Sequence, residues 1–449
     1  MGKPKILKGT RDFSPLEVNR RNYIFGTIRK VFVKYGYQPL ETPSIESLDT
    51  LMGKYGEEGD QLLFKVLNNG DFLGRANSEA LEARDSRKAL TSLSKRGLRY
   101  DLTVPFARYV VMNQSDIAFP FKRYQIQPVW RADRPQKGRY NEFYQCDVDV
   151  VGSESLIYEA ELIQIYDEVF TKLGLDVKIR INNRKILEGI AEACGIADKM
   201  VEMTVALDKL DKIGVEKVII EMTNRDISLE SAQQVMEIIK MTTLKEIEDA
   251  INTSEIGTKG VDELRQFHTY FDLKKETNEV VFDVTLARGL SYYTGCIFEV
   301  EAKDVEIGSI GGGGRYDNLT ETFGLKDVSG VGVSFGVARI YLAMEEKGLF
   351  PADTTTDLDV LILIDSEEAL LKGLQIISGL RNNNIIADIY PDPNAKSKKQ
   401  FKYAQRRGTR FIINLESRDL GKDKWVVKNM KTREHLELGI EEITERVNG

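Results

Sequence analysis

Apolar residues fall at Ile24, Ile28, Val31, Phe32 and Tyr35, a spacing that lines one face of an α-helix and predicts a helix over 15–36. Ser14 and Pro15 supply an N-cap and a first helical residue, and Gly36 suits the helix end. Residues 40–45 read as a strand, with Pro43 marking an edge or a strand end. The stretch 99–152 reads as strands with one helix-like segment, 154–173 as a helix and 177–181 as a strand. Residues 184–275 are charge-rich and lack strand alternation, which predicts a mostly helical insertion. Strand patterns return at 280–285, 296–301 and 331–335, and a helix follows over 338–347. Beyond a short polar linker, 351–357, strands at 358–364, 385–390 and 410–414 alternate with helices at 366–382 and 397–407. That alternation predicts a compact α/β domain with a largely parallel sheet.

Parity within 121–152 is more informative. With 121–133 read as a strand, even positions are mostly apolar, while odd positions hold Arg123, Gln125, Gln127, Arg131 and Asp133. The strand 142–151 puts Phe143, Gln145, Asp147 and Asp149 on one face, and 98–104 puts Arg99, Asp101 and Thr103 on one face. A half-exposed antiparallel sheet with a wet face is the plain reading of such alternation. Two features favour a ligand instead: the face mixes Gln, Arg, Asp and an aromatic, and the loop 134–140 is rich in cations and hydrogen-bond donors.

Composition narrows the chemistry. The 449 residues are 42% hydrophobic and 30% charged, an ordinary globular balance for two to four domains. No apolar run approaches the ~18 residues of a membrane span. The basic N-terminus lacks the apolar stretch of a signal peptide, and Ile6 occupies the Ser/Thr position of a myristoylation motif, so a cytoplasmic address is expected. Cys146, Cys194 and Cys296 are far apart in the chain, which argues against a disulfide framework or a zinc site; Cys146 reads as a small core residue. His268 and His435 are the sole histidines and read as polar surface residues, so chemistry must run on Arg, Asp, Glu, Gln, Tyr and backbone. The net charge of −7 gives no bulk nucleic-acid signal. Residues 396–410 are the local exception. They hold Lys396, Lys398, Lys399, Lys402, Arg406, Arg407 and Arg410 with no acid, and Lys398, Lys402 and Arg406 share a helix face. The glycine-rich tract 308–317 lacks the Gly-Lys-Ser/Thr ending of a phosphate loop. It reads as close backbone approach beneath a small ligand with Tyr316 presented to it, or else as a flexible turn.

The string Trp130-Arg131-Ala132-Asp133-Arg134-Pro135-Gln136-Lys137-Gly138-Arg139-Tyr140 resembles the second signature motif of class II aminoacyl-tRNA synthetases in its histidyl form. Lys8 to Phe13 looks like that family's N-terminus, Leu40-Glu41-Thr42-Pro43 like the first motif, 286–295 like the histidine-specific segment and 332–339 like the third motif. The resemblance runs from Lys8 to the C-terminus and is weakest in the helical insertion. It implies a multidomain α/β and α+β fold. An antiparallel-sheet catalytic core would occupy 1–350, with the insertion at about 184–275, and 358–449 would form an α/β anticodon-binding domain.

The resemblance also implies roles. Arg131 and Arg288 would be catalytic, both near the α-phosphate of ATP. Asp101, Leu102, Thr103, Gln145, Asp149, Tyr292, Tyr293 and Tyr316, with the two arginines, would bind histidine. Asp133, Arg139, Phe143 and Arg339 would join the arginines at ATP, with Phe143 and Arg339 sandwiching adenine. Gln136 and Lys137 would meet the tRNA acceptor end, and Lys398, Lys399, Lys402, Arg406 and Arg407 the anticodon arm. Asp133 stands where the family usually has Glu, and Ser291 where Asp is common. Mg²⁺ would accompany the phosphates, with ligands unassigned. The implied partners are L-histidine, tRNA(His) and a second copy of the chain. The rivals are a synthetase-like regulatory subunit of ATP phosphoribosyltransferase and an ATP-dependent ligase of the same fold acting on another amine.

Overall fold

The computed structural model describes residues 3–52, 62–271, 277–287, 293–355 and 357–448. It comprises two compact units, Met1–Asp12 with Arg21–Phe350, and Phe13–Arg20 with Pro351–Gly449.

Helix α1 (Pro15–Lys34) buries Ile24, Ile28, Val31 and Phe32. At its start Ser14 N donates to Glu17 Oε2 (2.7 Å) and Glu17 N donates to Ser14 Oγ (3.4 Å), a reciprocal cap. The main sheet of the first unit has the spatial order β1 (Gln38–Pro39), β5 (Phe121–Trp130), β6 (Glu142–Val151), β11 (Gly330–Gly336), β10 (Ser309–Tyr316), β9 (Cys296–Ala302), β7 (Val177–Asn183) and β8 (Glu279–Phe282). Its centre is antiparallel; only the edge pairs β1–β5 and β7–β8 are parallel. A second sheet pairs β2 (Ile45–Ser47) and β3 (Lys65–Val66) with β4 (Arg96–Leu98).

Strand alternation sends Cys146, Val148 and Phe335 to one face of the main sheet, into a core shared with α1 and α3 (Ile157–Leu173). Phe335 lies 5.7 Å from the Phe32 ring and 4.7 Å from the Tyr166 ring. Aromatic packing of this kind contributes beyond its buried area. Residues 184–271 are helical, as the missing strand alternation predicts, and include α4 (Arg184–Ala193) and α5 (Glu255–Phe271). They do not form a separate core, because Ile186, Leu187, Val261 and Leu264 join the apolar cluster of the main sheet. A Cβ on Gly189 would come within 2.5 Å of Gly257 Cα, so glycine at both positions lets these helices touch backbone to backbone.

Three local expectations are corrected. Residues 40–45 are not one strand: pairing stops at Pro39 and resumes at Ile45, around Pro43. The 98–104 segment is not extended: β4 ends at Leu98, and α2 (Thr103–Met112) begins with Asp101 Oδ1 accepting from Val104 N at 3.2 Å. Arg99 therefore parts from Asp101 and Thr103. It turns inward to the carbonyls of Thr42 (2.5 Å) and Pro128 (3.0 Å). The flexible-turn alternative for 308–317 is likewise set aside: Ser309–Tyr316 is β10, in the middle of the sheet, and it brings Gly312, Gly313 and Tyr316 to a cavity wall.

The second unit holds a sheet in the order β13 (Ala387–Ile389), β12 (Val360–Ile364), β14 (Phe411–Leu415), β15 (Trp425–Asn429) and β16 (His435–Leu438), with helices α7 (Glu367–Asn382), α8 (Ser397–Arg406) and α9 (Ile440–Asn448). It is mixed rather than largely parallel: β13, β12 and β14 are parallel, while β15 and β16 add antiparallel strands. Among the described residues, no helix is long and apolar enough to cross a membrane.

Candidate active site

The polar face of β6 opens into a cavity of about 160 Å³. Asp101, Thr103, Arg131, Gln145, Asp149, Tyr293 and Tyr316 all line it. They arrive from the start of α2 and the turn before it, from just past β5, from β6, from the chain before β9 and from the end of β10. Asp147, Ser334, Val333 and the glycines Gly312, Gly313 and Gly332 complete the wall. Leu102 lies between two lining residues but is wholly buried and does not reach the cavity. Arg288 and Tyr292 lie outside the described residues.

Glycines on β11 make room for this site. A Cβ on Gly332 would sit 2.0 Å from Asp149 Oδ1, and one on Gly330 2.3 Å from the Tyr316 ring. Tyr316 donates its hydroxyl to Asp149 Oδ1 at 2.7 Å. Arg123 Nη2 lies 2.9 Å from Asp149 Oδ2, and both side chains are buried. The polar face of β5 is therefore not wet: Arg123 and Gln125 are fully covered.

Among the described residues, three carboxylates, those of Asp101, Asp147 and Asp149, share the cavity wall with one cation, Arg131. Burial pushes Asp147 up to about 7, with Asp149 and Asp101 adding to the rise and Arg123 and a Ser334 hydrogen bond opposing it. Burial also raises Asp149 above the usual carboxylate range, against Arg123 and Tyr316. Gln145 Oε1 is buried without a hydrogen-bond partner among the described residues. An unfilled acceptor beside an excess of carboxylates suits a small cationic ligand rich in N–H donors.

Arg131 lies at the mouth of the strands. Its Nε donates to Tyr100 O at 2.9 Å, and its guanidinium stands 5.2 Å from the Phe143 ring centroid. In the loop beyond, Gln136 and Arg139 pair through their backbones, and Arg139 Nε reaches Asp133 Oδ2 at 3.0 Å. Lys137 lies 3.8 Å from Glu346, at the end of α6 (Val337–Glu346). Arg339, from the same helix, donates to Ser309 O at 2.6 Å beside Gly138. None of Asp133, Arg139, Phe143 or Arg339 lines the cavity.

In the second unit, Lys398, Lys399, Lys402, Arg406 and Arg407 are all exposed along and just beyond α8. Cys146, Cys194 and Cys296 are buried. His268 lies in the last turn of α5 and His435 on β16, and neither lines the cavity.

Sequence reasoning put Asp147 on the correct strand face but gave it no role, and it missed Ser334. The signal for Ser334 was present: it stands opposite Asp147 in the β6–β11 register, but that register exists only once the strands are paired.

An antiparallel sheet with an arginine at the end of one central strand, a basic loop after it and a glycine-cleared acidic pocket on one face is the catalytic core of a class II aminoacyl-tRNA synthetase. The histidyl-tRNA synthetase family model matches residues 9–340, and an anticodon-binding-domain model matches 359–449. The chain belongs to the histidyl-tRNA synthetase family. It is 53% identical to the histidine–tRNA ligase of Christiangramia forsetii over 97% of both chains, and 52% identical to that of Bacteroides fragilis over 98% of both. Among solved structures it resembles the histidyl-tRNA synthetase of Nostoc sp., with a TM-score of 0.80 and 29% identity over 98% of this chain and 99% of that one. A structure titled ATP phosphoribosyltransferase regulatory subunit/histidyl-tRNA synthetase from Bacillus halodurans has a TM-score of 0.72 at 20% identity, covering 92% of this chain and 100% of that one; this is a likeness of fold alone.

Proposed function

We propose that this chain is a histidine–tRNA ligase. It activates L-histidine with ATP to histidyl-adenylate and pyrophosphate, then passes the histidyl group to the terminal ribose of tRNA(His). The observation that carries this is the cavity: three aspartates, an orphaned glutamine oxygen, a threonine and two tyrosines around a space for one small ligand. Carboxylates suit the α-ammonium, and paired acceptors and donors suit the imidazole nitrogens. Such a site rejects amino acids that leave its buried polar groups unpaired. Arg131, at the cavity edge, would meet the substrate carboxylate and the α-phosphate, where charge develops as the carboxylate oxygen attacks phosphorus and pyrophosphate leaves. Arg288 would act beside it. Asp133, Arg139, Phe143 and Arg339 would receive ATP, and Gln136 and Lys137 the acceptor end of tRNA. No nucleophilic side chain is required, because histidine's own carboxylate attacks.

Among the described residues no three His, Cys, Asp or Glu side chains converge as a metal site. Mg²⁺ would accompany the outer phosphates of ATP, with its protein ligands unassigned. Residues 1–350 would carry both chemical steps, and 358–449, beyond the linker 351–357, would bind the anticodon arm. The working form would be a cytoplasmic homodimer. The regulatory-subunit reading is supported only by likeness of fold, whereas the anticodon-binding-domain match and the near-full-length ligase relatives support the ligase reading.

Histidine-dependent pyrophosphate–ATP exchange tests the proposal. Exchange with histidine and with none of the other amino acids is expected; folded protein without exchange overturns it. The basic helix has its own test. The triple variant Lys398→Ala/Lys402→Ala/Arg406→Ala is expected to bind tRNA(His) more weakly, its log K against log [salt] slope shallower by about 0.7–0.9 per lost phosphate contact. Exchange, which needs no tRNA, is retained. An unchanged slope would mean that this face is merely solvated.

A further inference from the structure

We propose that Asp147 and Ser334 are positioning residues that hold the Gln145 amide with its carbonyl oxygen toward the cavity, fixing Gln145 as an acceptor for an N–H of the bound amino acid. The inference rests on the histidine site described above and concerns how one of its walls is oriented.

Sheet register builds the arrangement. Asp147 on β6 stands opposite Gln125 on β5 and Ser334 on β11, and Gln145 lies two residues along β6 on the same face. Gln145 Nε2 is 3.0 Å from Ser334 Oγ and 3.5 Å from Asp147 Oδ1. Ser334 stands opposite Asp147 in the strand register, and its hydroxyl favours the ionised carboxylate. Polarity follows from the donor inventory. An ionised carboxylate only accepts, so the serine hydroxyl must donate to Asp147 and accept from the amide N–H. A flipped amide would turn its oxygen onto a carboxylate and a committed hydroxyl. Gln145 Oε1 is consequently the atom left over, buried and without a partner among the described residues, and a ligand N–H removes that cost.

The relay has direction only while Asp147 is ionised. Once protonated, its hydroxyl can donate, both amide orientations become acceptable, and Gln145 no longer presents a fixed acceptor. Burial lifts the Asp147 carboxyl to about 7. The charged and titratable groups around it are Arg123 on β5, Asp149 on its own strand, Asp101 and Arg99 ahead of α2, and Tyr166 on α3; Arg131 shares the cavity. Histidine recognition is thereby tied to a proton held in the cavity wall.

The test is the KM for histidine in pyrophosphate exchange, measured against pH with KM for ATP and kcat alongside. In wild type the histidine KM is expected to rise as pH falls through about 7. Asp147→Asn is expected to raise it about tenfold, a typical loss for one recognition hydrogen bond, and to remove the part of the pH dependence beyond histidine's own titration. The KM for ATP and kcat should change little. Ser334→Ala should copy the KM effect and Ser334→Thr, which keeps the hydroxyl, should restore it. Wild-type histidine KM and pH profile in both Asp147→Asn and Ser334→Ala, or a Thr variant as impaired as Ala, overturns the relay. Wild-type protein without histidine-dependent exchange instead overturns the functional reading itself, so the two failures are distinguishable.

Discussion

Arg131→Ala is expected to lower kcat for histidine-dependent pyrophosphate exchange by about 10²–10³-fold, the loss typical of removing one preorganised donor from a developing charge. The side chain is built for that duty. A hydrogen bond from Nε to Tyr100 O at 2.9 Å and the Phe143 ring beneath the guanidinium fix its plane before substrate arrives. The residue lines the cavity. Arg131→Lys keeps the charge but loses the planar fork and the Tyr100 anchor, so most of the defect should persist. Single-turnover exchange at saturating ATP and histidine separates this from a binding loss, and an unshifted melting temperature separates it from misfolding. A near-wild-type rate in Arg131→Ala would remove this residue from the chemistry.

How far such a site can be read from sequence depends on which contacts are local. The period of two along β6 is local, so Phe143, Gln145, Asp147 and Asp149 sort onto one face without any tertiary information. The helical period of α1 and the missing alternation in 184–271 are local too. Asp101 and Thr103 could be singled out but not placed, because what brings them to the cavity is a reversal from β4 into α2. The Asp101–Val104 cap is its only sequence trace. β10 was illegible for a different reason. Glycine carries almost no strand preference, and Gly311–Gly314 become a strand because β9 and β11 flank them. A Cβ on Gly313 would meet Gly332 O at 2.2 Å, so only glycine permits this pairing as it stands. Likewise, parity offered Arg123 as an exposed or ligand-facing cation. Nothing in the alternation says that α2 covers it, with the Phe106 ring 4.2 Å from its guanidinium.

That covered arginine carries the second large effect. Arg123→Met is expected to destabilise the first unit by about 3–5 kcal/mol at neutral pH, the usual cost of stranding one member of a buried ion pair. Methionine fills the space of the arginine stem, so the loss is electrostatic. Among the described residues Asp149 then keeps the Tyr316 hydroxyl, and Asp147 loses the cation that opposes its burial. Both carboxyls, already raised by burial, move further up, and the sign of the pH dependence follows. Between the unfolded carboxylate value of about 3.9 and the raised folded value, the folded chain holds more protons than the unfolded one, so stability falls as pH rises. Each carboxyl contributes a slope approaching about 1.4 kcal/mol per pH unit in that window. Urea denaturation at about pH 5.5 and about pH 7.5 should therefore show the gap between variant and wild type widening at the higher pH. A gap that is constant or narrows would mean that Arg123 does not hold these carboxylates ionised. Arg123→Met/Asp149→Asn, which removes both charges, should recover most of the stability while still binding histidine poorly. The pair's contribution to folding is therefore small compared with the cost of breaking it. What it secures is a carboxylate kept charged inside the sheet, where a cationic substrate can use it.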